Sequence, residues 1–169
     1  MKYLAKSLST AFLAIALQSA AFAHDQTSAN LQVTDAWIRA SAPGQTNGAG
    51  YMTINNTSHH PDRMISASTS VAGRTELHTV LTEDGLAKMR EVNAIDIAAN
   101  SMAKFSPNGF HVMFLQMKQP FKEGETIPVT LKFEKSGEIK VDFVVKPTTY
   151  NPSGQNAPMN HDHGGMKPN

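Results

Sequence analysis

Cysteine is absent from the 169 residues. That excludes disulfides, thiolate zinc sites, iron–sulfur clusters and cysteine nucleophiles. It also removes the thiolate that a blue-copper electron-transfer centre needs. Charge of one sign is equally scarce: 15 Lys+Arg stand against 14 Asp+Glu, a formal net charge of +1. Nothing in that balance argues for nucleic acid or an anionic membrane surface as partner. No Gly-x-Ser-x-Gly or comparable nucleophile setting occurs, so an enzyme reading has no motif to rest on. No apolar run reaches the roughly 20 residues a membrane-spanning helix requires. What the chain does have is nine Met and seven His.

The first segment reads as an address. Lys2 and Lys6 precede an apolar run from Leu8 to Leu17, and Ala21-Phe22-Ala23 closes it as an A-x-A-type cleavage site. Residues 1–23 are therefore expected to be a secretory signal peptide, cleaved after Ala23, and the mature protein to be periplasmic. Cleavage removes two lysines and turns the net charge from +1 to −1, while all seven His and all Met but Met1 remain.

Short segments that alternate apolar and polar residues follow, as half-buried strands do. The clearest is Ile139, Val141, Phe143 and Val145 against Lys140 and Asp142. Val129, Leu131 and Phe133 alternate in the segment before it, with Lys135-Ser136-Gly137 as a hairpin turn between them. Further candidates are 31–40, 48–55, 64–70, 74–81, 86–92 and 111–117, separated by turn chemistry such as Glu83-Asp84-Gly85. Seven to nine strands without a helical stripe predict an all-β, antiparallel Greek-key sandwich over residues 24–147. From about Pro147, residues 148–169 lose the alternation and read as a flexible tail.

Two places carry candidate metal ligands. His78 and Met89 flank Glu83-Asp84-Gly85, so a tight hairpin sets them nearly opposite on adjacent strands. Cross-strand Cβ atoms lie about 4.5–5.5 Å apart, close enough to share an ion. His111 and Met113, at i and i+2, leave one face of another strand, while Val112 and Phe114 point into the core. Thioether sulfur is soft and neutral and favours Cu(I), and imidazole accepts copper in either oxidation state.

The spacing His78-x10-Met89-x21-His111-x-Met113 resembles the copper-binding motif of the periplasmic PCuAC copper chaperone family. The flanking segments Gly73-Arg74-Thr75-Glu76-Leu77-His78, Lys88-Met89-Arg90-Glu91-Val92 and Gly109-Phe110-His111-Val112-Met113 are similar as well, and the resemblance runs from about Val33 to Val145. Ala87 stands where family members often have another Met. The resemblance implies a cupredoxin-like β-sandwich holding Cu(I) at an exposed site. It also implies delivery towards the dinuclear copper centre of cytochrome c oxidase. The recipient would be its subunit II or a thiol-containing copper assembly factor. The chain itself is expected to be a monomeric binding protein and not an enzyme.

The tail adds Met159, His161, His163 and Met166, a short tract whose composition reads as metal binding. Asp162 supplies a hard donor, so this second site is expected to accept Cu(II). His24 would become the mature N-terminus, where amine and imidazole could chelate Cu(II) together. His59-His60 read as exposed, and Trp37 as core packing. The rival functional reading is copper storage or resistance without delivery, which predicts many ions per chain.

Overall fold

A computed structural model describes residues 26–27 and 30–152. The expected signal peptide, His24 and the tail ligands Met159, His161, His163 and Met166 lie outside the described residues. Eleven strands and no helix occur among the described residues. In chain order they are β1 (Gln26–Thr27), β2 (Leu31–Arg39), β3 (Gly48–Asn56), β4 (Asp62–Ser68), β5 (Ala72–Glu83) and β6 (Leu86–Glu91). β7 (Ile95–Ile97), β8 (Ser101–Lys104), β9 (His111–Met117), β10 (Thr126–Phe133) and β11 (Gly137–Lys146) complete the set.

The alternating segments become the strands that build the core. Ile127, Val129, Leu131 and Phe133 of β10 and Ile139, Val141, Phe143 and Val145 of β11 all point inwards and are buried. A run of period two can satisfy one buried face only as a strand. Gly137, at φ 76°, takes the left-handed conformation that closes the β10–β11 hairpin, with Phe133 paired to Gly137.

Hydrogen bonding follows the path β6-β5-β9-β3-β2-β11-β10-β4-β7, with β1 added beside β2 and β8 beside β3. The jumps from β5 to β9, β9 to β3 and β11 to β2 are crossovers, as a Greek-key sandwich requires. Every strand pairing is antiparallel except one: β11 runs parallel to β2, matching Val144, Val145 and Lys146 to Trp37, Ile38 and Arg39. The path folds over a single core. Phe114 of β9 meets Phe143 of β11 edge-on at 6.4 Å between ring centroids, although the two strands are not neighbours. The Thr75 hydroxyl of β5 donates to the Ala67 carbonyl of β4, joining two strands far apart on the path. Trp37 packs in this core, 4.5 Å from the Tyr51 ring and 4.9 Å from that of Tyr150.

One buried acid pins the turn at the end of the β10–β11 hairpin. The Asp62 carboxylate accepts from the backbone N–H groups of Arg63 at 2.7 Å and of Lys135 and Ser136 at 3.0 Å each. Burial pushes its pKa up, but the Ser136 hydroxyl and these backbone donors outweigh that and hold it below the ordinary 3.8. Above that ordinary value the ionised group contributes its full stabilisation. As pH falls below 3.8 and through the lower folded-state value, the unfolded chain binds the proton first and the contribution is lost. Asp62→Ala strands buried donors and should cost about 2–4 kcal/mol at pH 7 by urea unfolding. The difference between variant and parent should shrink when the same measurement is made near pH 2.

Candidate metal site

The site begins with a two-residue turn. Asp84 at φ 53° and Gly85 at φ 77° both take left-handed backbone, the signature of a type I′ hairpin and the reason for an Asp-Gly pair here. The closing pair is Glu83 with Leu86, which propagates back to Val80 with Met89 and His78 with Glu91. Met89 is therefore one step diagonal to His78 and not opposite it, as the turn chemistry alone suggested. A shift of two residues keeps side-chain parity, so both still leave the same face of the sheet. Diagonal neighbours remain within reach of long side chains.

Directly opposite His78, across β5 and β9, stands His111, and Glu76 faces Met113 in the same ladder. The imidazole rings are 5.6 Å apart between centroids. Register thus brings His78, Met89, His111 and Met113 onto one face, with Glu76 among them. Val112 and Phe114, on the other face of β9, are fully buried in the core. The two histidines pair directly across the β5–β9 ladder although they lie 33 positions apart in sequence, a partnership that leaves no local signal.

Exposure is graded across the face. His111 is only 2% exposed, Met113 and His78 are half-buried, and Met89 is 58% exposed. The expectation of an exposed site is correct for Met89 alone. The physical reason is strand position: β6 is the end of the sheet, whereas β9 lies between β5 and β3, with the Tyr51 ring of β3 6.2 Å from that of His111.

Hydrogen bonds fix which ring nitrogens are free. His111 Nδ1 donates to the Gly109 carbonyl at 3.0 Å, and His78 Nε2 donates to Glu76 Oε2 at 2.8 Å. Carbonyl and carboxylate oxygens only accept, so each of these nitrogens carries a proton, and in the neutral form of either ring the lone pair falls on the other nitrogen. Those other atoms, His78 Nδ1 and His111 Nε2, are buried with no hydrogen-bond partner. Two orphaned lone pairs on facing rings are costly in an apo protein and are what a metal ion would use. Burial holds the His111 pKa below the ordinary 6.5, against the Gly109 bond and assisted by the nearby His78, so its ring is neutral and ready to ligate at pH 7. Among the described residues no three His, Cys, Asp or Glu side chains converge as a metal-binding group. Met89 and Met113 are the sulfur-bearing side chains that the register places on the same face as the two imidazoles.

His59 and His60 are exposed in the loop after β3. His59 Nδ1 lies 3.1 Å from Asn100 Nδ2, and the His60 carbonyl accepts from Asn56. Glu76 is the residue of this face that ligand spacing did not single out. Its only sequence signal is the i, i+2 relation to His78, which places an acid on the histidine's own face.

Residues 31–145 match the family described as "Putative lipoprotein LpqE-like", which is of the PCuAC type. The chain belongs to that family. It is 32% identical over 117 residues to "Putative lipoprotein Lxx21020" of Leifsonia xyli subsp. xyli, covering 69% of each chain. Among solved structures it is similar to the copper-bound PCuAC domain from PmoF2, at 25% identity and a TM-score of 0.64, over 73% of this chain and 98% of that one. It is also similar to the Cu(I) form of DR1885 from Deinococcus radiodurans, at 32% identity and a TM-score of 0.56, over 76% and 83%. The fold is that of a PCuAC domain, in keeping with the cupredoxin-like sandwich that the motif resemblance implied.

Proposed function

We propose that this chain is an exported copper chaperone that binds Cu(I) with His78, His111, Met89 and Met113. The observation that carries the reading is the pair of neighbouring imidazole rings, each with one buried, unpartnered nitrogen, with Met89 and Met113 on the same face. Copper in the similar PmoF2 and DR1885 structures supports the choice of metal. Four neutral donors leave a monovalent ion its charge and suit a soft cation better than a hard divalent one. Delivery runs towards the dinuclear copper centre of cytochrome c oxidase, directly or through a thiol-containing factor.

The exposure gradient suggests the order of release. Met89, on the edge strand and open to solvent, is displaced first by an incoming ligand, and the sunken imidazoles let go last. Met89→Ala is expected to weaken Cu(I) binding about tenfold, or 1.4 kcal/mol, and to change the transfer rate to a thiol acceptor. Substitution of His78 or His111 has the larger effect on affinity. An anaerobic competition titration against a Cu(I) chelator tests this on the mature chain: one tight ion, lost with the histidines, is expected. No competition at all would end the copper reading.

The domain plan is 1–23 as signal peptide, 24–147 as copper domain and 148–169 as a tail with a weaker site at Met159, His161, His163 and Met166. Deleting residues 151–169 should lower copper stoichiometry and leave the primary Cu(I) site intact. Export to the periplasm is supported by the lipoprotein family description. The 169 residues contain no cysteine, however, so lipid attachment through a cysteine within them is excluded.

A further inference from the structure

Glu76 is an acid with a side chain only 12% exposed, and such groups are buried at a cost unless they are paired and hydrogen-bonded. Both of its oxygens are engaged. Oε1 accepts from Arg74 Nε at 2.8 Å, and Oε2 accepts from His78 Nε2 at 2.8 Å. Arg74 is 64% exposed and so holds the carboxylate from the solvent side, while Oε2 faces the half-buried histidine. A carboxylate oxygen only accepts, so the hydrogen of this bond belongs to His78 Nε2. In the neutral ring the lone pair is thereby on Nδ1, the buried atom without a partner.

Taking the proposed copper site as its premise, we propose that Glu76 is a positioning residue that fixes the tautomer and ring orientation of His78, so that Cu(I) is taken on His78 Nδ1 and His111 Nε2. The two rings are used through opposite nitrogens. The Gly109 carbonyl performs for His111 the service that Glu76 performs for His78. The two anchors differ in kind. A backbone carbonyl is neutral and set by the fold, whereas the carboxylate carries charge and makes the imidazole it accepts from a stronger donor to metal. Glu76 also stands opposite Met113 in the β5–β9 ladder, so one residue borders both a nitrogen and a sulfur donor. It supplies the only anionic group hydrogen-bonded to either histidine among the described residues.

The tautomers can be read without any substitution, from long-range proton–nitrogen NMR correlations of the histidine rings in the metal-free mature chain. The expected pattern is a proton on Nε2 of His78 and on Nδ1 of His111. One equivalent of Cu(I) should then shift His78 Nδ1 and His111 Nε2 most. A proton on His78 Nδ1, or a Cu(I) shift centred on His78 Nε2, overturns the proposal. Glu76→Leu should weaken Cu(I) affinity 10- to 100-fold at unchanged stoichiometry, with His78 redistributed between tautomers. Glu76→Gln, which keeps an acceptor oxygen without the charge, should recover part of the loss. Full affinity in a folded Glu76→Leu protein overturns the proposal. His78→Ala separates the two levels of inference. If it leaves Cu(I) affinity unchanged, the copper site itself is wrong. If it abolishes binding while Glu76→Leu does not weaken it, only the role of Glu76 falls. Where Glu76→Leu does not fold, the tautomer pattern of the unsubstituted protein decides.

Discussion

His111→Leu is expected to lose tight Cu(I) binding, by 100-fold or more, and to leave the metal-free protein at least as stable as its parent. A hundredfold loss corresponds to about 2.7 kcal/mol of binding free energy. The stability expectation comes from the orphaned His111 Nε2. A buried polar atom without a partner costs about 1–3 kcal/mol, whereas the lost bond from Nδ1 to the Gly109 carbonyl contributes about 0.5–1.5 kcal/mol. Leucine removes the penalty and keeps an apolar side chain beside Tyr51, so the net change falls between neutral and mildly stabilising. Urea unfolding of the metal-free proteins, beside the anaerobic competition titration, reads both effects. His78→Leu makes the contrast. It too removes an orphaned nitrogen, but it takes away a partner of the half-buried Glu76 carboxylate, which would keep only Arg74. That variant should lose stability along with copper. Equal and large destabilisation in both variants would mean that the histidines serve the fold and not a ligand.

The sequence was most informative where a strand is long and half-buried. The alternation of Ile139, Val141, Phe143 and Val145 spans enough positions to exclude a helix, and β11 is found there. β7 and β8 were not anticipated, because Ile95–Ile97 and Ser101–Lys104 contain too little alternation to stand out from loops. The parallel seating of β11 on β2 was likewise beyond reach, since no local pattern encodes which distant edge a strand will meet.

The site shows the same division between local and distant information. Glu83-Asp84-Gly85 announces a hairpin, but only the backbone decides that Asp84 and Gly85 form the loop, and that choice moves Met89 from opposite His78 to diagonal. The facing of His78 and His111 depends on β9 lying beside β5, a crossover fixed by the whole core. Burial of His111 was hidden for a related reason. Alternation predicts that Val112 and Phe114 face inwards, and it assigns the opposite face of β9 to solvent. In the folded chain that face is covered at His111, so a polar residue is trapped there without a partner for one of its nitrogens. Sequences that break the local rule at one point do so most often at functional or strained positions.

Phe114→Ala is expected to destabilise the protein by about 3–5 kcal/mol, the range for removing a fully buried aromatic ring. Its ring meets Phe121 edge-on at 5.6 Å and Phe143 edge-on at 6.4 Å, tying β9 to the far layer of the sandwich. It also explains Gly50 on β3. A Cβ at that position would sit 2.9 Å from Phe114 Cε2 and 3.1 Å from Phe143 Cε1, closer than packed side chains tolerate. Gly50→Ala alone should therefore cost about 1–3 kcal/mol through overpacking. In the Phe114→Ala background the nearest clash is gone and the added methyl fills part of the cavity, so the same substitution should cost much less or be stabilising. The double-mutant cycle is the measurement, by urea unfolding of all four proteins with unfolding slopes compared. Additive costs would mean that Phe143, or the backbone of β3 itself, sets the limit at Gly50. Non-additivity would tie the close approach of β3 to β9 to the Phe114 ring. Because β9 also carries His111 and Met113, a loosened β3–β9 contact should appear a second time as weaker Cu(I) binding by Phe114→Ala, with every ligand still in place.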